Sequence, residues 1–186
     1  MGVLNVIHNR SKSERFKNLM DELQRQGIEN VTIWDAVHDA RGGYFGINKA
    51  HKQIVRWAKE EGLNKVIIAE DDLQFFDAGA WQYYIDNEPE NYDLYLGGVF
   101  LGTIGEDNKV GKFTGLTLYT VSSKYYDSFL GSEDNEHLDI ALGFKGGDFY
   151  VCDPFVVRQY NGYSQNEKRY MNYDFMFKSR KTYKNA

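Results

Sequence analysis

The chain has 186 residues, enough for one domain with a buried core that needs neither disulfides nor a structural metal. Its net charge of −5 argues against a protein that binds nucleic acid with its whole surface, and its single cysteine excludes an intramolecular disulfide. We find no signal-peptide pattern and no apolar run of roughly 18 residues. We therefore expect a cytoplasmic protein, either free or peripheral to an inner membrane.

The first seventy residues alternate between strand and helix patterns. Ser11 and Glu14 have the spacing of a capping box, apolar residues follow at helical spacing, and Gly27 is a stop signal. The third predicted strand is an apolar run without alternation, which is typical of a strand buried on both faces of a parallel sheet. The predicted elements are strands over residues 3–8, 31–34 and 66–69, a helix between residues 11 and 27, and a helix over residues 48–61.

The remainder of the chain contains shorter elements and a turn-rich segment over residues 97–115. Ser122 or Ser123 is placed to cap a short helix, and Pro154 ends the last strand of the sheet. The predicted elements here are strands over residues 94–96, 116–121 and 149–152, and helices over residues 122–130 and 136–144. This alternation predicts an α/β fold with a mainly parallel sheet.

Three consecutive acids, Glu70, Asp71 and Asp72, follow the third predicted strand. Ligands of open α/β sheets gather beyond the carboxyl ends of the strands, and an extended chain would direct Glu70 and Asp72 to one side and Asp71 to the other. Carboxylate oxygens suit Mg²⁺ or Mn²⁺ bridged to substrate phosphates. The alternatives are a solvated acidic loop and a helix N-terminus capped by Asp72.

An ordered set of motifs resembles family 25 glycosyltransferases, the galactosyltransferase type of lipooligosaccharide biosynthesis. The most characteristic is Ile68-Ala69-Glu70-Asp71-Asp72, similar to the Leu-Glu-Asp-Asp of that family. Ala69 and Ala50 depart from the family pattern. The other matching stretches, in family order, are residues 9–11 with Arg15, 34–37, 46–51, 92–97, 117–119, 137–139 and 154–159 with Ser164.

This resemblance implies a GT-A-type, Rossmann-like domain over residues 1–166 and a metal-dependent hexosyltransferase. It implies a UDP-sugar donor, Mn²⁺ or Mg²⁺ as the cofactor, a role in lipopolysaccharide biosynthesis and transfer with inversion. Asp139 is then the general base, although it could equally complement the dipole of a helix. Metal ligands would come from Glu70, Asp71 and Asp72, with His137 as a further metal or diphosphate ligand or else an exposed residue.

Several other residues are candidates for the nucleotide-sugar. Arg10 and Arg15 could pair with the diphosphate and Asp35 with the base or ribose, unless they form ordinary surface ion pairs. His51 lies in an apolar helix stripe, which favours a core histidine, while the resemblance gives it a role near the donor. Gln159 and Ser164 belong to the closing motif and could contact a sugar.

The acceptor is the least determined part of the sequence-based hypothesis. Residues 167–186 form a basic, aromatic tail that could guide a saccharide, a lipid-linked saccharide or a modified DNA base, or could simply be a solvated terminus. Trp81 and Tyr95 are candidates for contacts with an acceptor sugar. Two other functions stay open: a sugar nucleotidyltransferase and a non-catalytic nucleotide- or sugar-binding module.

Overall fold

A computed structural model of the chain describes residues 2–164 and 169–184. Within these residues the chain forms twelve strands. In chain order they are β1 (Leu4–His8), β2 (Val31–Asp35), β3 (Lys65–Glu70), β4 (Leu73–Phe75), β5 (Leu94–Leu96), β6 (Leu101–Ile104), β7 (Val110–Thr114), β8 (Leu118–Ser122), β9 (Phe149–Val151), β10 (Val157–Gln159), β11 (Gly162–Ser164) and β12 (Arg169–Met171).

Five α-helices and two short 3₁₀ helices connect the strands of the described chain. The α-helices are α1 (Ser13–Arg25), α2 (Gly43–Glu60), α3 (Ala80–Asp86), α4 (Tyr126–Leu130) and α5 (Leu138–Lys145), and the 3₁₀ helices are Ser123–Tyr125 and Asp174–Phe177. None of the helices in residues 2–164 and 169–184 combines the length and the hydrophobicity needed to span a bilayer.

The central sheet has six strands in the order β2-β1-β3-β8-β5-β9. Strands β2, β1 and β3 are parallel to one another, and β5 is parallel to β9. Strand β8 lies between β3 and β5 and runs antiparallel to both. The predicted α/β fold is confirmed, and the single reversed strand makes the sheet mixed.

The helices cover both faces of this sheet because successive residues of its strands point in opposite directions. Along β3, Val66 and Ile68 belong to one core cluster with residues of α2, α4 and α5, whereas Ile67 and Ala69 belong to a second cluster with residues of α1 and α3. The fully buried run of β3 thus matches its apolar, non-alternating sequence.

Two sequence-based details of the helices are wrong. Helix α1 has Lys12 at its N-cap and no side-chain cap, because Ser11 donates from its backbone N–H and its hydroxyl to the side chain of Asn9 instead. The first 3₁₀ helix, which leads into α4, likewise has no side-chain cap. Gly27, with a φ of +66°, does end α1 as predicted.

Helix α2 begins five residues earlier than its apolar pattern indicated, at Gly43. Its first turn packs directly on the loop after β2, and Gly46 makes this contact possible. A Cβ atom at Gly46 would lie 2.1 Å from the carbonyl oxygen of Val37. The absence of a side chain at this one position therefore brings the start of α2 against the end of the sheet.

The predicted turn-rich segment over residues 97–115 contains the β6–β7 hairpin. The two aromatic residues predicted to contact an acceptor, Trp81 and Tyr95, are each 1% exposed and lie in the core. Tyr95 stacks on Tyr84 with ring centroids 4.5 Å apart. Both residues are therefore excluded as acceptor contacts, because their rings pack against other side chains and not against an open surface.

The segment after residue 168 packs on the domain. Strand β12 pairs with β11, Phe177 is buried in a core cluster, and the ring of Tyr183 lies 5.0 Å from that of Tyr83. The predicted boundary between residues 166 and 167 lies outside the described residues. Phe177 and Tyr183 thus connect this segment to the core, and these contacts place part of it beside the site described next.

Candidate active site

A cavity of about 410 Å³ opens at the edge of the sheet where β1 and β3 end. Its walls come from the loops after these strands, the first turn of α2, the residues before β8, the start of α5 and the segment around β10 to β12. All three acids of the triplet line the cavity, and so does Asp139. The fold thus joins carboxylates that are about seventy residues apart in sequence.

Glu70 is held by two polar neighbours. Gln159 on β10 donates from Nε2 to Glu70 Oε2 at 2.7 Å, and His51 Nε2 lies 3.5 Å from Glu70 Oε1. Burial alone would raise the pKa of Glu70, but the interactions with His51 and Gln159 and the charge of Arg15 hold it below its ordinary value. These neighbours favour the ionised form of Glu70 and fix the orientation of its carboxylate.

His51 lies behind Glu70 and is almost fully buried. Its Nδ1 is hydrogen bonded to the hydroxyl of Tyr119, at 2.7 Å, and its other ring nitrogen faces Glu70. The structure confirms the interpretation of His51 as a core histidine, and its role near the donor stays a prediction. The ring is part of the core, and it orients a carboxylate of the cavity.

Asp71 is an anchor of the fold. It accepts hydrogen bonds from His8 Nδ1 at 2.8 Å, from the backbone N–H of Asn9 at 3.1 Å and from Arg15 Nη1 at 3.0 Å. The same Arg15 nitrogen donates to Asp72 Oδ2 at 3.1 Å. The expected alternation is wrong, because the chain turns after Glu70 and both aspartates face Arg15.

Asp72 has one carboxylate oxygen without a partner. Its Oδ1 is buried and accepts no hydrogen bond from the described residues, whereas Oδ2 is held by Arg15. Burial and the nearby charge of Glu70 raise the pKa of Asp72 to about 8. A buried acceptor of this kind requires either a proton or a cation, since an unpaired charge away from water is strongly unfavourable.

Asp139 lies in the first turn of α5 and borders the same cavity. Its Oδ2 accepts a hydrogen bond from the backbone N–H of Gly115 and its Oδ1 one from the N–H of Ile140, both at 2.8 Å. Burial raises the pKa of Asp139 despite these two bonds. The carboxylate is thus oriented and more basic than an exposed aspartate, as a proton acceptor near neutral pH requires.

Of the remaining predicted site residues, some line the cavity and others lie outside it. Arg15 and His137 line the cavity, and the His137 ring lies 5.4 Å from that of Tyr44. Arg10 and Asp35 form an ion pair with each other at the surface, with side chains 75% and 62% exposed, and do not line the cavity. The backbone of Ser164 belongs to β11, and its side chain lies outside the described part of the structure.

No group of three His, Cys, Asp or Glu side chains in the described residues is arranged to hold a metal ion by itself. Any metal site in the described part of the chain would therefore have at most two such side chains as ligands. Oxygens of a substrate and water would have to supply the other ligands, which is the usual arrangement for Mg²⁺ at phosphate-binding sites.

Sequence reasoning missed several residues of the cavity. Lys12 adds a positive charge near Arg15, and Gly115 contributes the backbone N–H that holds Asp139. Phe100 and Tyr173 provide an aromatic part of the wall. Neither ring could be found by motif or spacing, since Phe100 precedes a hairpin and Tyr173 follows β12, 73 residues later.

No protein-family model and no curated protein sequence matches the chain. Among solved structures, A197 from STIV has a TM-score of 0.56 at 13% identity, over 92% of this chain and 93% of that one. A Drosophila β1,4-galactosyltransferase 7 mutant, crystallised with manganese, UDP-Gal and xylobiose, has a TM-score of 0.55 at 11% identity, over 98% and 82%. The catalytic domain of that enzyme with xylobiose has a TM-score of 0.52 at 13% identity.

The fold is of the GT-A type. The resemblance to the two galactosyltransferase structures covers 98% of this chain. At these identities the likeness concerns the fold alone. What the cavity does must be argued from its own residues.

Proposed function

We propose that the protein is a metal-dependent glycosyltransferase that moves a hexose from a UDP-sugar to a hydroxyl group of a saccharide, with inversion at the sugar C1. The observation that carries this proposal is the buried, unpartnered Oδ1 of Asp72, in one cavity with the oriented carboxylate of Asp139. The sequence resemblance to family 25 glycosyltransferases supports the same reaction.

Asp72 and Glu70 are the residues that would hold the cation. The free oxygen of Asp72 fits a hard divalent ion such as Mn²⁺ or Mg²⁺, and the pKa of Asp72, raised to about 8, reflects negative charge that lacks compensation. When bound, such an ion would offset the charge of a leaving diphosphate. Gln159 and His51 keep Glu70 in place for this role.

Arg15 and Lys12 give this end of the cavity positive side chains that can pair with the same diphosphate. Arg15 already bridges Asp71 and Asp72 through a single nitrogen, and its guanidinium group carries five N–H donors in all. The donor is thus expected to bind with its phosphates between the acidic triplet and these two cations.

Asp139 is proposed as the general base. The acceptor hydroxyl gives its proton to the Asp139 carboxylate while its oxygen forms a bond to C1, and the bond from C1 to the diphosphate oxygen breaks on the opposite face. Hydrogen bonds from Gly115 and Ile140 fix both oxygens of the carboxylate, so the base is oriented before the substrate arrives.

The decisive experiment measures binding of UDP and of several UDP-sugars by thermal shift and calorimetry, with Mn²⁺, Mg²⁺ or EDTA. We expect binding only with a divalent ion, and at 100 times Kd a stabilisation of about 2.7 kcal/mol. Asp72→Ala should lose this binding and keep its fold. Metal-independent UDP binding, or turnover of a nucleoside triphosphate with a sugar 1-phosphate, would contradict the proposal and favour a nucleotidyltransferase.

A further inference from the structure

One wall of the cavity consists of aromatic rings and thioethers. It is formed by Phe100, which follows β5, and by Met171, Tyr173 and Met176 near the chain end. The rings of Phe100 and Tyr173 stack with centroids 5.1 Å apart and planes inclined by 27°. Two thioethers and two rings thus create an apolar surface on this side of the cavity.

This aromatic wall, defined as Phe100, Met171, Tyr173 and Met176, directly adjoins the proposed base. Gly115 connects the two, since its N–H donates to Asp139 Oδ2 and a Cβ atom at this position would lie 3.1 Å from the ring of Phe100. The φ of Gly115 is +104°, which favours glycine. A ligand that packs on the aromatic wall therefore lies next to the carboxylate of Asp139.

The aromatic wall contains no charged side chain. The cations of the cavity, Lys12 and Arg15, belong to the segments around β1 and α1. Two basic residues in this part of the structure pair with acids: Arg158 pairs with Asp174, and Lys181 Nζ lies 3.3 Å from Asp153. The four residues of the aromatic wall therefore offer no cation to a phosphate backbone, which would need several cations for affinity.

We propose that the aromatic wall is the acceptor subsite and that it binds a neutral hexopyranose through the C–H face of the sugar ring. This inference rests on the proposed function. The carbon-bound hydrogens on one face of a hexopyranose are apolar and pack on aromatic rings by dispersion, while the hydroxyl groups at the ring edge stay polar. One of those hydroxyl groups then meets Asp139. A nucleobase could also stack here, but the aromatic wall has no cation for the phosphates of a DNA acceptor.

The test compares Tyr173→Leu and Phe100→Leu with two matched controls, Tyr163→Leu and Phe175→Leu. The control residues have exposed rings outside the cavity. Binding of methyl β-galactoside, methyl β-glucoside and lactose is measured by saturation-transfer NMR in the presence of UDP and Mn²⁺. We expect the two wall variants to weaken sugar binding about five- to tenfold, and Tyr173→Phe to retain it.

A second measurement separates this inference from the proposed function. If UDP binding with Mn²⁺ is intact in all variants and only the wall variants lose sugar binding, the inference holds. Two outcomes would overturn the acceptor inference while UDP binding is intact. In the first, neutral sugars bind equally well to the parent and the wall variants. In the second, only glucuronate, glucose 6-phosphate or an oligonucleotide binds to the parent protein. Failure of UDP to bind the parent protein would overturn the proposed function itself.

Discussion

Replacement of Asp72 by asparagine is expected to stabilise the metal-free protein while it removes metal-dependent donor binding. Burial and the charge of Glu70 raise the pKa of Asp72 to about 8, whereas an aspartate in an unfolded chain has a pKa of about 3.9. Between these values the folded protein binds a proton at Asp72 that the unfolded protein does not bind. The free energy of unfolding therefore falls as pH rises through this window.

The size of the effect follows from this difference in pKa. The folded state keeps this proton at pH 7, about three pH units above the unfolded-state pKa, which corresponds to roughly 4 kcal/mol. At pH 5 the difference is about one pH unit, which corresponds to roughly 1–2 kcal/mol. Asp72→Asn should raise the free energy of unfolding by up to these amounts. For a chain of this length, each kcal/mol raises Tm by about 2–4 °C.

Asp71→Asn is the matched control, one residue away and of the same type. Asp71 is buried and accepts bonds from His8, Asn9 and Arg15, so an amide nitrogen in its place would face a donor. We expect this substitution to lower the free energy of unfolding by about 3 kcal/mol or more. Urea unfolding in EDTA at pH 5 and pH 7, for the parent and both variants, measures the difference.

The parent protein and Asp72→Asn should also differ in their response to ligand. UDP with Mn²⁺ should stabilise the parent protein and leave Asp72→Asn unchanged, because the substitution removes the charge that would hold the ion. If Asp72→Asn destabilised the metal-free protein as much as Asp71→Asn, Asp72 would be a structural residue like its neighbour. The argument from the unpartnered oxygen would then be refuted.

Three other predictions concern the base and the packing of the cavity. Asp139→Asn should keep UDP affinity and slow transfer by about a hundredfold or more, and unchanged turnover would leave Asp139 a helix-end residue. Since burial raises the pKa of Asp139, kcat/KM should fall as pH falls through that raised pKa, at a higher pH than for an exposed aspartate. Gly46→Ala should destabilise the protein by roughly 1–3 kcal/mol and weaken UDP binding, because its Cβ would meet the Val37 carbonyl, whereas Gly111→Ala, with open space around it, should do neither.

The sequence was most informative where local chemistry and position in the fold coincide. The non-alternating apolar run of β3 correctly predicted a strand buried on both faces, and a triplet of acids after such a strand could be expected to line a crevice. The role of Asp139, in contrast, came only from the family resemblance. Nothing in its own neighbourhood distinguishes it from an aspartate that stabilises the start of a helix.

Sequence reasoning was weakest for side chains whose environment depends on distant segments. An aromatic residue gives no local sign of whether its ring meets the core or a cavity, and so Trp81 and Tyr95 were wrong choices while Phe100 and Tyr173 were missed. The sequence also left open whether Arg10 binds a diphosphate or forms a surface ion pair. Only the pairing of β1 with β2 brings Arg10 beside Asp35 at the surface. These outcomes depend on tertiary contacts and not on local pattern.

The reversed strand β8, which the pattern of strands and helices did not reveal, explains why the two proposed functional carboxylates share a cavity. Because β8 is antiparallel to β3, its beginning lies beside the end of β3, and the N–H of Glu70 donates to the carbonyl of Thr117 at 3.1 Å. Gly115 is only two residues before that contact, and its own N–H holds Asp139. A parallel strand in the same place would begin at the opposite edge of the sheet, more than 15 Å away by the usual rise of about 3.3 Å per residue. The reversal of one strand thus brings the proposed base to the acidic triplet.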